Sequence, residues 1–113
     1  MPTEKQADLY DTTRPLLDAL YTEFQELSKK KPEATLSESK VKLINRLLED
    51  VRKVLKGERE FKYLDVLVSE SLPQNSDVVL MLSQYKAAME TFHNNYHGMD
   101  PETRRRRWFL DDE

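Results

Sequence analysis

Five consecutive apolar residues, Val78-Val79-Leu80-Met81-Leu82, limit what this chain can become more than any other stretch does. Such a run asks for cover on nearly every side. Beyond it the apolar positions thin to Tyr85, Ala88, Met89, Phe92 and Tyr96, the i, i+3, i+4 stripe of an amphipathic helix. A helix buried at one end and half-exposed at the other suits the central member of a small bundle, expected over residues 76–97 and closed by Gly98. The same helix carries both histidines, His93 and His97, one turn apart.

Two further principal helices are expected. Thr3 and Gln6 have capping-box spacing and predict a short first helix to about Tyr10. Thr12-Thr13-Arg14-Pro15 then reads as a restart, with a Thr cap and a proline in the first turn. From there Leu16, Leu17, Leu20, Tyr21, Phe24 and Leu27 share a face, so a helix over 14–30 follows, stopped by Pro32 after three lysines. The clearest pattern lies over 38–56. Val41, Ile44, Leu48, Val51 and Leu55 recur at spacings of three and four, Ser37 or Ser39 can cap the start, and Gly57 is expected as a left-handed closing residue. Two heptads are too few for a free-standing coiled coil, so this is a bundle helix.

The remaining segments are shorter. Residues 61–68 are dense in apolar side chains, and a two-turn helix is preferred over a strand because no partner strand is evident. Asp100-Pro101-Glu102 has the order of cap, first-turn proline and first-turn acid, which predicts a last helix running through the arginines that follow. The fold class expected is therefore all-α: a small bundle of three principal helices with short additional helices at the N-terminus, at 61–68 and at the C-terminus. A length of 113 residues fits one helical domain, with 101–113 as a tail that either protrudes or packs back.

Composition narrows the function classes. There is no cysteine, which removes disulfides and thiolate metal sites and leans toward a cytoplasmic setting. No apolar leader opens the chain, and no run approaches the length of a membrane span. Gly57 and Gly98 are the only glycines, so phosphate loops and dinucleotide fingerprints are excluded. The net charge of −3 is unevenly spread: residues 37–62 carry an excess of basic groups inside an otherwise acidic or neutral chain. The five tyrosines are expected at the core edge with their hydroxyls in water.

Two constellations invite chemistry. His93 and His97 stand at i, i+4 and could share a metal ion with Glu90 and Asp100, which would make a metal-dependent enzyme. The glutamate that should follow the first histidine in a helical zinc motif is missing, because Asn94 and Asn95 intervene. A helical ribonuclease site fares no better, since no arginine lies between Tyr85 and Phe92. No cofactor is expected, and neither histidine is assigned as a ligand. The sharper signal is Arg104, Arg105, Arg106 and Arg107 followed by Trp108 and Phe109. Arginine and tryptophan are the usual anchors of protein interfaces, so these six residues are the expected partner-binding set. Nucleic acid is the alternative, with guanidinium groups on phosphates and aromatic rings on bases, against a sequence pI of about 5.5. A third outcome folds Trp108 and Phe109 onto the core while the arginines meet the acidic 63–100 stretch. The expected function is a non-enzymatic interaction or regulatory module, a homo-oligomer or accessory subunit. It would contact a protein partner through the tail and any uncovered seam of the second helix. Deleting 101–113 is then expected to leave folding largely intact while abolishing a complex.

Overall fold

The computed structural model describes residues 1–111. Three helices pack against one another as a small bundle: α1 (Glu4–Lys30), α2 (Glu38–Leu55) and α3 (Asn75–Tyr96). All three feed one apolar cluster, in which Leu17, Leu48, Val51, Val78, Leu82 and Met89 are fully enclosed. Among the described residues, no helix is long and apolar enough to cross a membrane.

The capping box forms at the start of α1, with the Gln6 amide donating to Thr3 Oγ1 at 3.2 Å and the Thr3 amide to Gln6 Oε1 at 3.0 Å. No restart follows. The helix runs straight through Pro15, so the short N-terminal helix and the 14–30 helix are one element. Proline cannot donate to the Asp11 carbonyl, but both residues are exposed and water can take that acceptor. Thr12 and Thr13 do not cap a new helix; their hydroxyls donate to the carbonyls of Asp8 and Leu9 at 2.9 and 2.7 Å.

Ser37 caps α2 by accepting from the Lys40 amide, and the whole Val41, Ile44, Leu48, Val51, Leu55 seam is buried as its spacing requires. Gly57 is not left-handed, contrary to expectation. Past Leu55 the chain tightens instead, with the Glu58 amide donating to the Leu55 carbonyl, into a 3-10 turn over Arg59–Tyr63.

Residues 61–68 do not form the two-turn helix. After the 3-10 turn the chain is extended from Leu64 to a second 3-10 turn, Ser69–Ser71. Among the described residues the extended backbone has no strand beside it, yet its polar groups are met by side chains. Asn45 brackets Leu67, donating to its carbonyl at 2.8 Å and accepting from its amide at 2.9 Å. Arg52 donates to the Leu64 carbonyl, and the Tyr85 hydroxyl to the Asp65 carbonyl at 2.6 Å. Tyr85 is thus wholly buried, its hydroxyl bonded to protein and not to water.

The linker before α2 pairs with the chain just ahead of α3. Leu36 and Asn75 donate backbone bonds to Pro73 and Ala34, both at 2.9 Å. Within α3 the apolar run is covered at Val78 and Leu82, whereas Leu80 stays exposed on the outer face. The helix ends at Tyr96, one turn's edge before Gly98. The C-terminal segment is not a helix: β1 (His97–Met99) and β2 (Arg106–Trp108) form an antiparallel hairpin pairing His97 with Trp108 and Met99 with Arg106.

Candidate functional site

Asp100 braces the turn of the hairpin with the same carboxylate that a helix start would have used. One carboxylate oxygen accepts from the Glu102 amide at 2.8 Å, and the other from Arg107 Nε at 2.6 Å. Its carbonyl accepts from the Arg104 amide, and its own amide donates to the Arg105 carbonyl. These donors hold the Asp100 carboxyl below the usual carboxylate range, the Glu102 amide first and the Arg107 guanidinium second. Arg104 must take a left-handed φ of 58° for the chain to reverse.

Side chains alternate across a strand, so Trp108 turns inward while Arg107 points the other way. Arg107 lies over the Phe109 ring at 4.9 Å, and Phe109 in turn sits against Gly98, with its Cε2 3.2 Å from where a Cβ would project. Trp108 enters an aromatic nest. Its ring centroid is 5.0 Å from Tyr10, 5.7 Å from Phe92, 5.4 Å from His93 and 5.0 Å from His97. Its indole N–H donates to the Asp11 carboxylate at 3.2 and 3.3 Å. Trp108 is therefore spent on holding the hairpin to α1 and α3, while Phe109 packs within the hairpin between Gly98 and Arg107. Of the six residues expected to bind a partner, Arg104 to Arg107 are all exposed; Arg107 pairs with Asp100, whereas among the described residues Arg104, Arg105 and Arg106 form no ion pair.

Beside the nest lies a charged network with no counterpart in the sequence reading. Arg14 donates to the Tyr10 hydroxyl at 2.7 Å, to Asp18 at 3.1 Å and to Glu90 on α3 at 3.1 Å. Burial raises the Tyr10 phenol above its ordinary value, partly opposed by Arg14. Lys86 completes the link by pairing with Asp18 at 3.4 Å. The only local signal was the i, i+4 spacing of Tyr10, Arg14 and Asp18; the Glu90 partner is 76 positions away.

His93 and His97 stack face to face, centroids 4.4 Å apart at 20°. The carboxylates that could have completed a metal site are engaged elsewhere, Glu90 by Arg14 and Asp100 by Arg107. Among the described residues, no group of three or more His, Asp or Glu side chains is placed to hold an ion. His97 Nδ1 is buried with no hydrogen-bond partner among the described residues. Burial, then the neighbouring His93 and Arg106, depress the His97 pKa, with Asp11 acting weakly in the opposite sense.

Comparison with protein-family models, curated proteins and solved structures finds no match. The site has to be read on its own geometry.

Proposed function

We propose that this chain is a non-enzymatic interaction module whose hairpin presents Arg104, Arg105 and Arg106 to an acidic surface of a protein partner. The observation that carries the reading is the division of labour within the segment. Trp108 anchors the hairpin, and three exposed arginines crown it without an ion pair among the described residues. An anchored hairpin loses less conformational freedom on binding than a loose tail, which favours affinity. Arginine's planar donor set suits carboxylates. A cytoplasmic setting belongs to the same proposal, supported by the lack of cysteine.

The nucleic-acid reading loses support on the same ground, because neither Trp108 nor Phe109 is offered to a base. The test compares wild type with an Arg104→Gln, Arg105→Gln, Arg106→Gln triple variant, measuring the native mass of the complex recovered from the protein's own host. The triple variant is expected to lose the complex while its circular dichroism and urea midpoint stay unchanged. A complex of unaltered mass refutes the proposal. Oligonucleotide binding that falls steeply with salt and disappears in the variant would transfer the hairpin to nucleic acid.

A further inference from the structure

α1 and α2 lie antiparallel, and the seam between them has two sides. On one, Leu17, Leu48 and Val51 are sealed into the core that α3 completes. On the other, two contiguous depressions of about 270 and 230 Å³ share Leu20, Glu23, Leu43 and Ile44. Leu16 and Leu43 on this open side are 56% and 59% exposed, although each stands at a helical position where a polar side chain would cost the fold little. With Leu20, Leu27 and Leu47 they make an apolar floor running along both helices.

The rims of this groove differ in charge. The α1 rim carries Asp18, Glu23 and Glu26 against a single Lys30, whereas Lys42 and Arg46 flank Leu43 on the α2 rim. Glu23 and Arg46 have no ion pair among the described residues, and the Glu26–Lys29 and Lys42–Glu38 pairs are exposed contacts of the kind worth little. One apolar floor with an acidic edge and a basic edge is a surface complementary to itself.

We infer that this groove is a homodimer interface, occupied by the same α1/α2 face of a second copy. A two-fold axis parallel to the helices lays α1 of each copy over α2 of the other. Glu23 and Leu43 line the same depression and so stand at one level along the groove. That axis therefore brings Glu23 and Glu26 opposite the partner subunit's Lys42 and Arg46, and the leucine floors meet between them. An axis across the helices would instead set acid on acid, which repels. The groove shares no residue with the arginine hairpin, so this inference and the hairpin proposal stand or fall separately.

Sedimentation equilibrium of the full chain at low salt tests the inference. Wild type is expected at twice 13.4 kDa. A Glu23→Lys, Glu26→Lys variant and a Lys42→Glu, Arg46→Glu variant are each expected to fall to the single-chain mass. Mixed in equal amounts they should regain the doubled mass, because the mixed pair has opposite charges on both rims. All four residues are exposed, so circular dichroism should not change. Leu43→Ser, at an exposed position, provides a second route and is expected to weaken association at least tenfold. Wild type remaining at 13.4 kDa up to about 100 μM overturns the inference. So does a dimer indifferent to both charge reversals, or a groove that binds only a different protein. The Arg104→Gln, Arg105→Gln, Arg106→Gln variant should still dimerise.

Discussion

The indole nitrogen of Trp108 donates to the carboxylate of Asp11, joining positions 97 residues apart at 3.2 and 3.3 Å. That bond and the nest around it tie the hairpin to the first half of α1. Trp108→Ala would empty a site lined by Tyr10, Phe92, His93 and His97, at a cost of about 3 kcal/mol. Removing residues 101–113 should cost at least as much, instead of leaving the fold untouched as the sequence suggested. Urea unfolding followed by circular dichroism measures both; midpoints equal to wild type would show that the nest contributes nothing.

His97 predicts a dependence on pH. Its folded pKa is depressed, so below the unfolded value near 6.5 the unfolded chain binds more protons. The stability it contributes is complete above that value and is lost as pH falls toward the folded pKa. The urea midpoint should therefore drop between about pH 7.5 and 5.5. His97→Gln should flatten that part of the profile. Curves of identical slope for both proteins would contradict the assignment.

Asn45 supports a backbone segment that has no strand beside it. Asn45→Ala leaves the Leu67 amide and carbonyl without their partners, which should cost about 2 kcal/mol. Hydrogen exchange gives the sharper readout, since protection at the Leu67 amide should vanish while the α3 amides change only with global stability. Protection that survives the substitution would mean that another acceptor serves Leu67.

Arg104 holds a φ of 58°, where a side chain is strained. Arg104→Gly should stabilise the hairpin by about 0.5–1 kcal/mol, as the relief exceeds the glycine's added freedom in the unfolded chain. Thermal unfolding checks the sign. A lower midpoint would indicate that the Arg104 side chain contributes contacts that offset its strain.

The parts of the fold that were legible in the sequence are those governed by local periodicity. Val41, Ile44, Leu48, Val51 and Leu55 face one way on any α-helix, and the 75–96 stripe is just as direct. What escaped the reading was settled at a distance. Asp100-Pro101-Glu102 reads as a helix start because an aspartate that accepts an amide two residues on serves a cap and a turn equally well. The choice falls to Trp108, which finds its aromatic nest only if the chain reverses. Likewise 64–68 looked untenable as extended chain because its backbone partners are side chains of Asn45, Arg52 and Tyr85, and no pattern announces them. Pro15 misled in a third way, since one missing donor on an exposed face does not end a helix that the core holds on its other side. The arginines were visible from the sequence; the withdrawal of Trp108 into the aromatic nest was not.

The closure between Trp108 and Asp11 also has a bearing on time. A contact across 97 residues carries a large loop-closure cost, and we expect it to form late, after the rate-limiting crossing on the way to the native state. Such late contacts leave the refolding rate alone and govern how long the folded molecule lasts. In a chevron plot Trp108→Ala should raise the unfolding limb and leave the refolding limb in place. The hairpin is, in that sense, less a part of how the chain finds its shape than a latch on how slowly it lets go.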